Sequence, residues 1–283
     1  MIDDPRGRID YDEYGSGPTL VLVPGSCSTG AAWRPVIAAL DGRFRCVTTS
    51  LLGYGATAER RTAQDTSIVH EAEMLEAVVR KAGGAVHLVG HSFGGVVALA
   101  VALRDRVAVE RLTILEAPAA ELLREYDEAE HYAAFRAMTD RYFADFAAGE
   151  TDAIATMIDF YGGAGTYASW PQRVRAYAAQ TTAVNIRDWA SAYEFPLWRA
   201  ALATIAVPTL VAWGEASHPA AQRANALIAR SIRGARSEII DGAAHFMIAT
   251  HAGAVADLIA DHTREAESVA VPAAGYVTRA APP

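Results

Sequence analysis

Six short apolar runs, each too brief for an amphipathic helix and each closed by turn residues, most restrict what this chain can fold into. They fall at residues 19–23, 44–48, 86–89, 112–115, 209–213 and 237–240, and their richness in Val, Ile and Leu reads as strands buried on both faces. Helical periodicity fills most of the gaps between them, at 31–40, 67–81, 93–103, 220–232 and 252–262. Alternation of this kind predicts an α/β protein: a doubly wound, mostly parallel sheet with helices on both faces, whose ligands gather at the carboxyl ends of the strands. With 283 residues and 52% hydrophobic content, the chain has enough apolar material for one large core carrying an insertion.

The rhythm breaks once. Residues 119–206 offer no good strand but several helical segments, at 120–146, 151–161 and 172–189, so this stretch is expected to be a helical lid inserted into a core made of 1–118 and 207–264. The insertion holds 15 of the 24 aromatic residues, among them Phe135, Tyr142, Phe160, Trp170, Trp189 and Trp198. These either form a small aromatic core of their own or present an apolar wall to a substrate. From 265 to 283 periodicity is lost and Pro, Ala and Gly accumulate, the pattern of a mobile tail.

Charge narrows the ligand. A net charge of -8 provides no basic field for phosphates, so nucleic acid is not an expected partner. The polar, acidic first residues lack the positive start and apolar run of a secretory signal, and no stretch reaches membrane-spanning length. A cytoplasmic protein acting on a small molecule, away from membranes, is the expectation. Cys27 and Cys46 are too few for a disulfide framework and have no partners at zinc spacing, so both are expected to be free thiols.

The chemistry-bearing motif lies at Gly90-His91-Ser92-Phe93-Gly94, a G-x-S-x-G turn with a buried strand before it and a small-residue helix behind it. That context is what a nucleophile elbow requires, with Ser92 held exposed while the glycines let strand and helix approach. The helix starting at Phe93 aims free N–H groups at developing negative charge. An oxyanion hole is expected from the amide of Phe93 and, after the first long strand, that of Ser26, which Gly25 frees the chain to turn inward.

With these residues in place the chain resembles the lidded α/β-hydrolases from roughly residue 9 to residue 262. The resemblance rests on Gly17-Pro18-Thr19 through Gly25, on Leu52-Gly53-Tyr54-Gly55, on the elbow, on Val207-Pro208 through Glu215, and on Asp241-Gly242-Ala243-Ala244-His245-Phe246. It implies a serine nucleophile at Ser92 and a catalytic histidine at His245, in the loop between the last strand and the final helix. It also implies a carboxylate between them in the chain, usually the D of W-G-x-x-D, and here the sequence departs: position 217 is Ser217. Glu215 stands two residues too early. Haloalkane dehalogenases, some epoxide hydrolases and the zearalenone-type lactonases instead carry the acid directly after the strand that follows the elbow helix. This chain has Glu116 there, making it the expected third triad member.

The resemblance implies attack by Ser92 on an ester or lactone carbonyl, with no metal and no organic cofactor. The dehalogenase and epoxide-hydrolase relatives use an aspartate nucleophile, so Ser92 argues against those chemistries. Two other functions share the scaffold. A cofactor-independent lyase or oxygenase would use His245 for proton transfer alone, and a ligand sensor would close its lid without turnover, a reading that the absent acid at Ser217 keeps open.

Overall fold

The computed structural model describes residues 1–195 and 197–264. The expectation of a tail at 265–283 lies outside the described residues. Among the described residues nine strands appear in chain order: β1 (Ile2–Asp4), β2 (Gly7–Ile9), β3 (Asp12–Tyr14), β4 (Thr19–Val23), β5 (Arg45–Thr48), β6 (Val86–His91), β7 (Val109–Leu115), β8 (Thr209–Gly214) and β9 (Arg236–Ile240). β1 and β2 form a small antiparallel hairpin, while the other seven build one sheet in the order β3-β5-β4-β6-β7-β8-β9. Within it only β3 runs antiparallel; all other pairings are parallel.

All six expected strands are present, the largest difference being a start three residues earlier for β7. The first three strands have no apolar signal to reveal them. β3 is Asp12-Glu13-Tyr14, exposed throughout, and as the sheet's edge it needs only backbone pairing to β5.

Alternation within the strands assigns each residue to a layer. Leu20 and Leu22 of β4 pack with Val89, Leu115 and Ala212 against Trp33, Val36, Val255 and Ile259, on helices Gly30–Trp33, Arg34–Ala39 and Ala252–Arg264. Val21 and Val23 face the other way, with Leu88, Ile114 and Val211, toward helices Ile68–Ala82, Phe93–Arg104 and Pro219–Ser231. Both faces are therefore covered, the condition under which a mostly parallel sheet is stable and its central strands read as unbroken apolar runs. This is the α/β-hydrolase fold.

Between β7 and β8 the described residues form helices only, at Ala120–Glu125, Ala129–Ala147, Ala155–Gly162, Thr166–Ser169, Gln172–Gln180, Thr182–Glu194 and Arg199–Leu202. Two of the expected helices are each broken in two. Residues 120–146 are interrupted where Asp127 adopts a φ of 58°. Residues 172–189 are interrupted at Thr181, whose hydroxyl donates back to Tyr177 O at 2.9 Å. The aromatic residues divide between a core and a cavity wall. Phe135 is fully buried, with Phe160, Tyr161 and Trp189 at ring distances of 5.3, 6.3 and 6.0 Å, so the segment has a core of its own. Tyr161, Trp170 and Trp189 also line a cavity. No helix among the described residues is long and apolar enough to cross a membrane.

Candidate active site

The sheet register brings the carboxyl ends of five parallel strands to one edge, with Val23 beside Gly90, His91 beside Leu115, Leu115 beside Ala212 and Gly214 beside Ile240. Loops leaving those ends carry Ser26, Ser92, Glu116, Ser217 and His245, so residues spread over 220 positions of sequence become neighbours.

Ser92 sits in the turn between β6 and the helix Phe93–Arg104 with φ 54° and ψ -130°, a conformation that side chains rarely adopt. Its backbone is held by donation of Ser92 N–H to Leu115 O at 2.9 Å and of Gly95 N–H to Ser92 O at 2.8 Å. The turn requires glycine around it: a Cβ at Gly94 would lie 2.3 Å from Pro24 O, and one at Gly25 would lie 2.8 Å from the Ser92 Cβ. Elbow and β4 loop are thus pressed together.

Ser92 Oγ lies 2.9 Å from His245 Nε2, and His245 Nδ1 lies 2.8 Å from Glu116 Oε1. With the carboxylate able only to accept, Nδ1 carries the proton and Nε2 presents a lone pair to the serine hydroxyl. Glu116 is fully buried. Its second oxygen accepts the Gly214 amide at 3.1 Å and the Ser217 hydroxyl at 2.5 Å. Burial pushes this carboxyl up, but the His245 ring and the hydrogen bonds from His245, Ser217 and Gly214 outweigh it, leaving Glu116 below its ordinary pKa. Ser217, at the commoner acid position, thus donates its hydroxyl to the Glu116 carboxylate. Glu215 faces elsewhere, its Oε2 accepting the Gly242 amide at 2.9 Å.

The histidine ring is fixed from several sides. His91 Nε2–H donates to His245 O at 2.8 Å, which ties the β9 loop to the elbow. Burial, and then the neighbouring His245, push His91 down to about 3, so it is a neutral strut. Tyr161 stacks on His245 with ring centres 3.9 Å apart, and Phe246 meets it edge-on at 5.3 Å.

Of the two expected oxyanion donors, Phe93 opens the elbow helix, where amides have no partner within the helix. Ser26 lines the same cavity. Its hydroxyl donates to Asp188 Oδ2 at 2.6 Å, a contact with the inserted helices that the sequence did not announce. Asp188 also accepts from Tyr54 Oη at 2.6 Å and from Arg61 Nη1 at 2.7 Å. Arg61 is in turn paired with Glu59 at 2.9 Å and Glu71 at 3.4 Å. This buried network ties the β4 loop, the loop after β5 and helix Thr182–Glu194 together beneath the site. Cys27, next in the chain, is pushed up to about 12 by burial and then by the Asp188 charge, which disfavours its thiolate.

Beside Ser92 lies a cavity of about 160 Å³, walled by Met157, Ile158, Trp170, Trp189 and Phe246 and reached by His91, Asn185 and Asp188. Sequence reasoning did not single out His91, Asn185, Asp188 or the supporting role of Ser217. Only the last had a signal, its place at the usual acid position.

Residues 20–258 match the model of the alpha/beta hydrolase family, and the chain belongs to that family. Haloalkane dehalogenase 2 of Mycobacterium tuberculosis is 36% identical over 109 residues, 38% of this chain and 38% of the relative. The pimeloyl-[acyl-carrier protein] methyl ester esterase of Aliivibrio salmonicida is 34% identical over 110 residues, 38% of this chain and 40% of the relative. The match thus spans about two-fifths of each of these relatives. Among solved structures, the enol-lactonase from Burkholderia xenovorans has a TM-score of 0.70 at 20% identity, covering 92% of this chain and 98% of that one.

Proposed function

We propose that this protein is a serine hydrolase that cleaves a carboxylic ester or lactone of a small, largely apolar substrate through an acyl-Ser92 intermediate. The observation that carries this reading is the relay Ser92–His245–Glu116, with successive contacts of 2.9 and 2.8 Å at the mouth of an apolar cavity. The esterase and lactonase among the similar proteins agree with it, and a serine at the elbow is the nucleophile of acyl transfer.

In this mechanism Ser92 Oγ attacks the carbonyl carbon while His245 Nε2 takes the hydroxyl proton, and the Nδ1–H to Glu116 bond holds the ring in the accepting tautomer. The amides of Phe93 and Ser26 hold the tetrahedral oxyanion. Collapse expels the alkoxide, which His245 protonates, leaving acyl-Ser92. Water then attacks the acyl carbon, giving its proton to His245, and the carboxylic acid leaves as Ser92 recovers its hydrogen. Residues 119–206 act as the lid, excluding water and selecting substrate.

The test is hydrolysis of p-nitrophenyl acetate, butyrate and hexanoate by the wild type and by Ser92→Ala. Turnover that Ser92→Ala abolishes is the expected result. An unchanged rate in Ser92→Ala would move the reading to proton-transfer chemistry by His245 alone.

A further inference from the structure

The polar atoms of the cavity fall into two groups. Most are already committed: Ser26 and Asp188 bond to each other, and Ser28 Oγ donates to Gly25 O at 2.8 Å. Besides His91, whose Nδ1 also lacks a partner but which belongs to the elbow strand, two side chains stand apart. Asn185 is 2% exposed and its amide oxygen has no hydrogen-bond partner; Tyr161 is 3% exposed and its hydroxyl has none either. Both line the cavity. Buried polar groups are ordinarily paired, so two orphans on the wall of one apolar cavity point to a ligand that completes them.

Their placement says where that ligand lies. Asn185 shares a face of helix Thr182–Glu194 with Asp188, Trp189 and Ala192, at the spacing that stacks side chains along one side of a helix. Tyr161 closes the layer between Trp189, at a ring distance of 6.4 Å, and His245 at 3.9 Å. The orphans therefore belong to the inserted helices, while the reacting atoms belong to the sheet edge.

Chemistry narrows the ligand further. A carboxamide offers an acceptor beside two donors, and a phenol hydroxyl can give or take one bond. Among the described residues no Arg or Lys lines the cavity, and the one carboxylate there, Asp188, is matched by Arg61, Ser26 and Tyr54. An anion would find no counter-charge, and a cation no uncommitted one.

We propose that Asn185 and Tyr161 form a recognition subsite for a second, uncharged hydrogen-bonding group, so that the substrate is an ester or lactone whose apolar body carries a hydroxyl or carboxamide away from the scissile carbonyl. The proposal rests on the hydrolase reading above for its scissile bond, but the subsite can be read without turnover.

Two matched pairs of esters test it: p-nitrophenyl hexanoate against its ω-hydroxy analogue, and phenyl hexanoate against its hydroxymethylphenyl analogue. Between them they place the hydroxyl on the acyl or the alcohol side. The wild type is expected to favour the hydroxylated member of at least one pair by about tenfold or more in kcat/KM, chiefly through KM, because a site built to pair a hydroxyl discriminates against its absence. Asn185→Leu and the milder Tyr161→Phe are each expected to bring that ratio several-fold closer to unity. The same pairs are titrated into Ser92→Ala by the fluorescence of Trp189 and its neighbours, which gives the ratio as Kd values. A ratio near one in both wild type and Ser92→Ala, or one that neither substitution moves, overturns the subsite. Turnover without preference rejects the subsite alone, whereas absence of turnover with a clear Kd preference rejects the hydrolase reading alone.

Discussion

Replacing Glu116 by glutamine keeps the shape of the buried acid and removes one lone-pair oxygen, and the surroundings dictate which one. Glu116 Oε2 accepts from the Gly214 amide at 3.1 Å and from Ser217 at 2.5 Å, and the Gly214 N–H cannot reverse its role. The glutamine carbonyl must stay there, which turns the NH₂ toward His245 Nδ1, 2.8 Å away in the wild type. Two donors then face each other. The ring escapes by moving its proton to Nε2, the tautomer that cannot accept from Ser92. A wrong tautomer of this kind in a serine triad costs about 10⁴ in kcat, equivalent to about 5.4 kcal/mol of transition-state stabilisation. The assay is kcat for p-nitrophenyl butyrate, with a thermal melt on the same preparation to show that the variant folds. Glu215→Gln is the control, since that carboxylate accepts the Gly242 amide, a bond that a glutamine oxygen can keep. A folded Glu116→Gln within about tenfold of the wild type, or a larger loss in Glu215→Gln, would refute the reasoning.

Three further outcomes are expected. Ser217→Ala removes a charge-assisted hydrogen bond to Glu116 but leaves the Gly214 amide, and kcat in the same assay should fall by about tenfold. Asp188→Asn removes the 2.7 Å carboxylate partner of buried Arg61 but leaves its pairing with Glu59, a loss of about 1–3 kcal/mol that chemical denaturation would register. His91 is held down at about 3 from an ordinary 6.5, so the unfolded chain binds more protons between those values and stability falls as pH drops through that window. His91→Gln should flatten that decline in melts run from neutrality to acid, and an equally steep decline in the variant would show that another group is responsible.

The parts of this molecule that were legible in its sequence are those with a local signature. Central strands such as Thr19–Val23 show an apolar run because both faces are covered, and the elbow betrays itself because glycine is needed where a Cβ at Gly94 would lie 2.3 Å from Pro24 O. Glu116 was reachable through the resemblance, which implies an acid directly after the strand that follows the elbow helix, where this chain has its glutamate. Other features had no such signature. β3 is held by pairing to β5 and has no apolar face to display. Asp188 reaches Ser26 across 162 positions and Tyr54 across 134, and nothing in the pattern of an amphipathic helix marks which of its polar residues turns inward. Asn185 is silent for the same reason.

The central claim, that Ser92 is the acylated nucleophile, is tested most directly by incubating the protein with a fluorophosphonate and locating the adduct by intact mass and peptide mapping. One phosphonyl group per chain, carried by the peptide containing Ser92 and absent from Ser92→Ala, is the expected result. A native chain that takes up no label, or an adduct mapped to any other residue, would contradict it.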